Sequence, residues 1–274
     1  MNAHSNALES RLGSLRLAAP ASLVTQVELG TGLVDGYTVV ASPVGDVVVA
    51  FNPRGVSAVD LADQGFADRF RSRYVRTLVP AEPPTVWMNR IEEALDRGRP
   101  GLLPIDYRSV TAFQRTILEL AATIPRGQVR PYSWLARSAG QPGASRAVGS
   151  TMARNPVPLI VPCHRVIRSD GKLGNYSLGG PKNKWELLSF EGAEPDRIES
   201  IAAAGIRLLG SEATGIYCFP TCHQARRISE AQLRGFRSEE QAESLGFRAC
   251  RVCRPSGQRA AGPRSHDPRP HPRY

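Results

Sequence analysis

The sequence predicts an α+β protein made of a small mixed α/β N-terminal unit, a mostly helical second unit and a small C-terminal unit with four cysteines. β-Branched runs alternate with helical patterns in roughly the first hundred residues, and helical periodicity dominates the next stretch. Four of the 5 cysteines then form two close pairs. We place the units at residues 21–104, 105–195 and 196–254, between a flexible N-terminus at 1–20 and a disordered basic tail at 255–274.

The first unit is predicted to begin with a β-hairpin. Short β-branched runs flank the turn Pro-Val-Gly-Asp at 43–46, and a third strand is expected at 56–61. Helical patterns follow at 64–75 and 86–97, and the second of these ends at Gly98, because glycine readily adopts the conformation that terminates a helix. The unit contains no evident catalytic group, so we expect it to support the second unit.

The second unit contains a predicted pair of short helices. Thr111 can cap a helix that runs to about residue 123, and Ser133 can cap a short helix that ends at Gly140. A Gly/Pro turn leads to a further helix at 144–154, and two short helices joined in this way resemble a helix-turn-helix. The outward face of the last helix is small and polar, which suits a close approach to nucleic acid. The residues predicted on this face are Arg146, Ala147, Ser150, Thr151 and Arg154.

The chain is strongly basic, with a net charge of +10 that comes mostly from arginine. Arginine binds phosphate groups through paired hydrogen bonds, so this balance indicates a polyanionic partner. The alternative is a basic surface that only aids solubility. No apolar run has the length of a membrane span, and the N-terminus has no apolar signal-peptide core. We therefore expect a soluble, cytoplasmic, nucleoid-associated protein with no membrane partner.

A lone cysteine, Cys163, stands beside His164 in the segment Val-Pro-Cys-His-Arg-Val-Ile at 161–167. A cysteine attacks only as a thiolate, and a thiol with an unperturbed pKa near ~8.5 is mostly protonated at neutral pH. The prolines before Cys163 are expected to hold the backbone extended and stiff, so that the sulfur is aimed at an incoming group. The alternative is a buried cysteine that packs as a small apolar side chain.

The other cysteines form the pattern Cys218-x3-Cys222 and Cys250-x2-Cys253, with a long loop between the pairs. In a reducing compartment this pattern indicates four thiolates on a zinc ion and not disulfides. A small unit with a thin core would depend on the metal for folding. We therefore expect zinc as the cofactor, with these four cysteines as its ligands, and no organic cofactor.

The second unit also carries a series of motifs in a specific order and spacing. They are Tyr-Ser-Trp-Leu-Ala at 132–136, Ser-Arg-Ala-Val-Gly at 145–149, Asn-Pro-Val-Pro at 155–158, Pro-Cys-His-Arg-Val at 162–166, Gly-Asn-Tyr at 174–176, Lys184, and the closing Glu-Gly at 191–192. On these motifs the chain resembles the O6-alkylguanine-DNA alkyltransferases from about residue 36 to residue 192. The resemblance implies a ribonuclease-H-like N-terminal unit and a helix-turn-helix in the second. It also implies irreversible transfer of an alkyl group from O6-methylguanine in DNA to Cys163, once per molecule.

The same resemblance implies roles for further residues. His164 would deprotonate Cys163 through a bound water, and Glu191 would orient the histidine, as in other nucleophile–base–orienter sets. Arg146 would enter the base stack in place of the extruded base, because an O6-methyl group cannot be reached inside a duplex. Tyr132 would turn the backbone phosphate and lend a proton to the leaving guanine. The remaining implied site residues are the hinge Asn155 and the pocket residues Tyr176, Ser177, Val166 and Lys184.

The third unit resembles the zinc-binding methyl-acceptor domain of the Ada regulatory protein at 214–222 and 246–255. In that domain the first cysteine accepts a methyl group from a backbone methylphosphotriester, so the resemblance implies Cys218 as a second acceptor. Phe219 stands where Ada has an arginine, and the zinc unit follows the alkyltransferase unit instead of preceding it. Two interpretations stay open: Cys218 accepts methyl groups, or the unit is a zinc-stabilised module that docks on DNA.

The resemblance thus implies a suicidal, stoichiometric S-methyltransferase that repairs DNA as a monomer and binds the double strand mainly in the minor groove. A DNA-damage-binding protein without alkyl transfer is the alternative. A pure binder, however, requires none of the site residues Cys163, His164, Asn155 and Glu191. A cysteine hydrolase would need turnover and a second, distant histidine, and no other histidine lies in the second unit.

Overall fold

The structure of the protein is a computed structural model that describes residues 21–257. The predicted flexible N-terminus lies outside these residues, as does most of the predicted tail. Residues 255–257 of that tail are described, and the buried Pro255 accepts a hydrogen bond from Arg137 Nη2 on its carbonyl oxygen (2.8 Å). The prediction of disorder is therefore wrong for 255–257, because these residues pack against the second unit.

The N-terminal unit is a sheet with helices around it. Its elements in chain order are α1 (Ala21–Thr31), β1 (Val34–Val40), β2 (Val47–Asn52), β3 (Gly55–Leu61), α2 (Phe66–Tyr74), β4 (Thr77–Pro80) and α3 (Thr85–Arg97). The strand order is β3-β2-β1-β4, where β1 is antiparallel to β2 and parallel to β4. The predicted hairpin, third strand and two helices are confirmed, and α3 ends at Gly98 in the left-handed conformation. The helix α1 and the strand β4 were not predicted.

The second unit is mostly helical, as predicted. Its elements are α4 (Ala112–Ala121), β5 (Arg130–Pro131), α5 (Tyr132–Ser138), α6 (Ser145–Ala153), β6 (Val166–Ile167) and α7 (Gly180–Phe190). Thr111 caps α4 in a reciprocal capping box with Gln114. The prediction that Ser133 caps α5 is wrong, because the extended Pro131 precedes the helix and Ser133 lies inside its first turn. A proline fits there, since its fixed φ suits the entry to a helix.

The backbone at Cys163 differs from the extended segment that the prolines predict. Residues Cys163–Arg165 form a single 3-10 turn between Pro162 and β6. The amide of Cys163 donates to Val161 O (2.8 Å) and the amide of Arg165 donates to Pro162 O (3.0 Å). Hydrogen bonds to nearby carbonyl groups therefore stabilise a turn in place of an extended backbone. Cys163 and His164 are both buried in this turn.

The C-terminal unit combines a small sheet with short helices. Its elements are α8 (Pro195–Ala203), β7 (Leu208–Ser211), β8 (Ile216–Cys218), β9 (Leu233–Phe236), α9 (Glu239–Ser244) and β10 (Arg248–Ala249). The strand order is β10-β8-β7-β9. Cys218 ends β8 and Cys250 directly follows β10, so the parallel pairing of these two strands brings the two cysteine pairs to the same end of the sheet.

The units share a hydrophobic core in the part of the chain that the structure describes. One cluster of buried side chains includes Val47 of the first unit, Leu118 of the second and Tyr217 of the third. Hydrogen bonds also join the second and third units, for example from Trp134 Nε1 to Arg254 O (2.8 Å). Within residues 21–257, no helix combines the length and apolar character that crossing a membrane requires. The mixed α/β architecture predicted from the sequence is confirmed.

Candidate functional site

Asn155 holds Cys163 in place. It follows α6 by two residues, and its Nδ2 donates to Cys163 Sγ (3.1 Å) and to Val161 O (2.8 Å). Its Oδ1 accepts from the amide of Val157 (3.1 Å). The Asn155 side chain thus hydrogen-bonds the backbone at Val157 and at Val161. It also donates to the Cys163 sulfur, and such a bond stabilises a thiolate.

His164 faces a buried carboxylate. Its Nε2 lies 2.9 Å from Glu191 Oε1, at the end of α7. Arg165 binds the same carboxylate through Nη2 to Oε1 (2.6 Å) and Nε to Oε2 (2.8 Å). The His164 Nδ1 atom is buried and has no hydrogen-bond partner among the residues that the structure describes. The histidine is therefore held from one nitrogen only, and the other is available.

Burial and charge set the ionisation of this group. Burial raises the pKa of the Cys163 thiol, against the hydrogen bond from Asn155 and the charge of Lys184. Burial also lowers the pKa of His164, against its hydrogen bond with Glu191. Burial disfavours the Glu191 carboxylate as well, but hydrogen bonds from His164 and Arg165 outweigh it and lower the pKa to about 2. At neutral pH the site therefore holds a neutral thiol, a neutral imidazole and an ionised carboxylate.

Three of the predicted pocket residues, Tyr176, Val166 and Lys184, lie close to the active-site turn. The Tyr176 ring meets the His164 ring edge-on at 6.1 Å between centroids, and Val166 is buried in the strand that follows the turn. Lys184 is fully buried, and its Nζ donates to Val166 O (2.7 Å) and Leu173 O (2.6 Å). Burial lowers its pKa to about 8. Lys184 thus joins two backbone segments of the pocket, whereas Ser177 is exposed at its edge.

Tyr132 starts α5 and is half-buried. Burial raises the pKa of its phenol, with a smaller contribution from the nearby Cys163, so Tyr132 keeps its proton at neutral pH. Of the predicted catalytic residues, Asn155 contacts the sulfur of Cys163 directly and Glu191 contacts His164.

The predicted outward face of α6 is mostly exposed. Arg146, Ala147, Ser150 and Arg154 are accessible to solvent. Thr151 is not: it is only 3% exposed, and its hydroxyl donates to Ala147 O (2.8 Å). The outward position predicted for Thr151 is therefore wrong, because the buried side of the helix is wider than the pair Val148 and Met152.

Arg165 carried no predicted role, and its side chain is buried, with 1% of its surface exposed. Besides Glu191, its guanidinium donates to the carbonyl oxygens of Gly98, Ile124 and Arg97. A Cβ atom at Gly98 would overlap this guanidinium, so the glycine that ends α3 also makes room for the arginine. The available signal was a single charged residue inside the apolar run 157–167, where a charge is tolerated only with partners.

The four cysteines of the C-terminal unit form a buried cluster. The sulfur atoms of Cys218, Cys222, Cys250 and Cys253 all lie within 4.8 Å of one another. A tetrahedral zinc ion with Zn–S bonds of ~2.3 Å would require sulfur separations of about 3.8 Å, so the cluster fits this ion. Close contacts with Cys222 and Cys253 raise the pKa of Cys218, so thiols this crowded require a cation between them to ionise together.

An open cleft lies beside Cys218. Its volume is about 490 Å³, and three exposed arginines contribute to its lining: Arg227, Arg248 and Arg251. Guanidinium groups bind phosphate oxygens through paired hydrogen bonds. The cleft therefore suits a phosphate group, although Cys218 itself is only 2% exposed at its base.

Comparisons with known proteins agree with these two sites. Residues 112–193 match the family described as 6-O-methylguanine DNA methyltransferase, DNA binding domain, and residues 200–256 match the metal binding domain of Ada. A methylated-DNA–protein-cysteine methyltransferase of Rattus norvegicus is 35% identical over 200 residues, which cover 64% of this chain and 89% of the relative. The bifunctional transcriptional activator/DNA repair enzyme Ada of Escherichia coli K12 is 33% identical over 176 residues, 61% of this chain and 48% of that protein.

Among solved structures, Mycobacterium tuberculosis OGT in complex with DNA is 32% identical, with a TM-score of 0.46, and the match covers 60% of this chain and 98% of that one. The fold and the two sites define a protein with one buried thiol, hydrogen-bonded by Asn155, and a separate metal centre of four cysteines. The chain belongs to the methylated-DNA–protein-cysteine methyltransferase family and carries a C-terminal Ada-type metal-binding domain. Its four clustered cysteines are a zinc site.

Proposed function

We propose that this protein repairs DNA by transferring the alkyl group of O6-methylguanine to Cys163 Sγ, irreversibly and once per molecule. The observation that carries the proposal is the buried thiol, which Asn155 holds next to a histidine whose Nδ1 has no hydrogen-bond partner among residues 21–257. The names of the relatives support it. DNA is accordingly the partner, and the alternative of a damage-binding protein without transfer explains neither the thiol nor the histidine–carboxylate pair.

The proton pathway follows from the contacts of His164. Ionised Glu191 can only accept hydrogen bonds, so we assign the shared proton to His164 Nε2. Nδ1 is then the basic nitrogen, and it is also the atom without a partner among the described residues. In the proposed pathway Nδ1 takes the proton of the Cys163 thiol through a bound water, and Glu191 stabilises the imidazolium that forms.

The transfer step is a single displacement. The Cys163 thiolate attacks the methyl carbon, the S–C bond forms as the C–O6 bond breaks, and the electrons of that bond remain on the guanine oxygen. Tyr132 lends the departing guanine a proton. Tyr132 then regains a proton from solvent, and the imidazolium of His164 releases to solvent the proton that it took from the Cys163 thiol. The product is a thioether that water does not readily hydrolyse, so the protein is consumed.

We assign DNA binding to α5, the following turn and α6, acting as a helix-turn-helix on the minor groove. Arg146, exposed near the start of α6, would enter the stack in place of the flipped base, with Ala147 and Ser150 close to the groove and Arg154 at a phosphate. The order β3-β2-β1-β4, with β1 parallel to β4, supports a ribonuclease-H-like fold for the N-terminal unit. We propose that one chain acts alone, as a monomer.

The direct test uses duplex DNA that carries O6-methylguanine with a labelled methyl group. We expect one label per protein molecule, and peptide mass spectrometry should locate it on Cys163. Binding without any label on the protein would overturn the proposal in favour of a damage-binding protein.

The role of Arg146 is tested on duplex and single-stranded substrates. Arg146→Ala should slow transfer from the duplex at least about tenfold and affect single-stranded substrate much less, because only the duplex requires extrusion of the base. The control Arg197→Ala removes the same charge from an exposed arginine of α8 that pairs with Glu194. Equal slowing on both substrates would contradict the assignment.

A second candidate activity is methyl transfer from a methylphosphotriester to Cys218. The cleft lined by Arg227, Arg248 and Arg251 next to this cysteine favours it over a purely structural zinc unit. Zinc, when bound, keeps the four sulfurs ionised and electron-rich at neutral pH. Arg227, Arg248 and Arg251 would hold the phosphate oxygens while Cys218 Sγ attacks the methyl carbon. The S–C bond would form as the methyl C–O bond breaks, and the electrons of that bond would remain on the phosphodiester oxygen.

This candidate can be tested in the Cys163→Ala protein, where the first site is silent. DNA with a single methylphosphotriester should place one methyl group on Cys218, located by peptide mass spectrometry. If the peptide stays unmodified while the protein binds that DNA, the unit is a zinc-stabilised docking module.

A further inference from the structure

Arg130 is a buried arginine at the junction of the second and third units. It lies in β5 and is 3% exposed. Its Cζ atom lies 5.0 Å from the centroid of the Phe219 ring and 5.7 Å from that of Trp134. Its Nη1 donates to Val129 O (2.8 Å) and its Nη2 to Gln128 Oε1 (2.7 Å). No carboxylate pairs with it among the described residues, and its Nε has no hydrogen-bond partner there.

A buried cation without a carboxylate needs another source of negative charge. Phe219, which covers the guanidinium, directly follows the zinc ligand Cys218 in the chain. Thr221, which precedes the ligand Cys222, accepts a hydrogen bond from the amide of Val129, the neighbour of Arg130 (2.9 Å). The loop between the first two zinc ligands is therefore fastened to the segment that carries the arginine.

The zinc centre can supply the negative charge that the buried guanidinium of Arg130 needs as a partner. Four thiolates on Zn²⁺ leave a net charge of about −2, and burying such a centre is costly unless cations lie near it. The arginines of the Cys218 cleft are exposed and screened by solvent. Burial lowers the pKa of Arg130, and Cys253, Cys222, Cys250 and Cys218 act in the opposite direction.

We propose that Arg130 is the buried counter-ion of the zinc–thiolate centre, supplied by the alkyltransferase unit to the Ada-type unit. It is a positioning residue: it lowers the cost of burying the loaded centre and makes metal binding depend on the contact between the two units. In β5, Arg130 pairs with Val166, which follows the Cys163–Arg165 turn, and Tyr132 is two residues further along the chain. Loss of zinc would leave an unpaired buried cation next to the alkyl-transfer site.

The first test measures zinc affinity of the full chain by competition with a chromophoric chelator. Arg130→Gln should bind zinc at least about tenfold more weakly, as expected for a group that supports metal ligands from outside the coordination sphere. Arg130→Lys keeps the charge and should stay within about threefold of the unsubstituted protein. The matched control is Arg137→Gln, which breaks the contacts of Arg137 with Glu239 and Pro255 in the same interface. It should change the affinity less than about twofold.

The second test uses Co²⁺ in place of zinc and records the thiolate-to-cobalt charge-transfer band. A cation closer to the sulfurs than to the metal stabilises the sulfur electrons, so Arg130→Gln should move this band to longer wavelength. Arg130→Lys and Arg137→Gln should leave it in place. A change in packing alone would not produce this pattern.

Two results would overturn the proposal. One is a folded Arg130→Gln protein with unchanged zinc affinity and an unchanged cobalt band. The other is equal loss of affinity in Arg130→Gln and Arg130→Lys, which would assign the effect to shape and not to charge. If Arg130→Gln does not fold, Arg130→Lys decides: a band at the original position supports the proposal and a displaced band overturns it.

Discussion

The two thiol sites of this protein use buried arginines in opposite ways. At the alkyl-transfer site, Arg165 binds the carboxylate of Glu191 and leaves the single sulfur of Cys163 to a neutral histidine. At the zinc site, Arg130 lies against the loop between the ligands Cys218 and Cys222. In the proposed role, its positive charge balances the negative charge of the four sulfurs. Arg130 lies in β5, and Arg165 directly precedes β6, the strand with which β5 pairs.

The comparison shows how one protein can hold one cysteine as a neutral thiol that is ready to react and four others as thiolates bound to zinc. A neutral buried thiol can be activated at the moment of reaction, because its base and the partner of that base are already in position. A tetrathiolate centre is ionised permanently and must be stabilised by metal and cations. The first site therefore depends on proton transfer, and the second depends on charge balance.

The largest difference between the sites should appear when Cys163 is removed. We expect Cys163→Ala to lose transfer from O6-methylguanine completely, because no other thiol is held beside a base in the described part of the chain. Zinc content and affinity for undamaged duplex should stay within about twofold. Transfer is measured with labelled DNA and zinc by elemental analysis. Residual labelling of the variant at the O6 lesion would show that the two sites are not separate.

Removal of zinc should affect the C-terminal unit far more than the second unit. Metal binding contributes of order 10 kcal/mol to the folding of small zinc units, so a chelator should unfold residues of that unit. Hydrogen exchange should show loss of protection at β7 to β10, with retained protection in α4. Uniform loss of protection throughout residues 21–257 would mean that the two units cannot fold separately.

The ion pair of the first site should make stability depend on pH. Folding lowers the pKa of Glu191 from 4.5 to about 2, so its contribution is complete above about pH 4.5 and is lost as the pH falls towards 2. The expected size is about 3 kcal/mol in the free energy of unfolding. Glu191→Gln should lose that amount at pH 7, and its difference from the unsubstituted protein should shrink in acid.

Denaturant titrations at several pH values measure this difference, with the exposed Glu194→Gln as the control. Acid also releases zinc, but it does so in the variant and in the unsubstituted protein alike, so this effect cancels in the difference between their free energies of unfolding. A constant difference between pH 3 and pH 7 would contradict the assigned ionisation of Glu191.

The smallest effect should come from the hydrogen bond to the sulfur. Asn155→Ala removes the donor to Cys163 Sγ, and a hydrogen bond to a charged acceptor is worth ~1.5–3 kcal/mol. Transfer should slow about tenfold or more, and its pH profile should move to higher pH as the thiol pKa rises. Asn155→Asp keeps the shape but adds a negative charge, so it should be at least as slow. An unchanged profile in a folded Asn155→Ala protein would leave Asn155 as a backbone support only.

Patterns in the amino-acid sequence were enough to predict the hairpin, most helices and the four zinc ligands, and they singled out Cys163 with His164 as a candidate site. These depend on short-range patterns: alternation in strands, helical periodicity, and cysteines a few residues apart. Tertiary structure decided the rest. Thr151 is buried because α6 packs against a wide surface. The turn at Cys163 is closed by local backbone hydrogen bonds, and Asn155 fixes its place beside α6.

The roles of the two buried arginines also come from the tertiary structure. In the sequence Arg130 appears as an ordinary member of a basic composition, and only its place in an apolar run distinguishes Arg165. Arg165 meets Glu191 only when α7 packs against the active-site turn, and Arg130 meets the zinc loop only when the third unit docks on Trp134. The physical reason is that the cost of burying a charge is set by whatever surrounds it in space, and those surroundings come from distant parts of the chain.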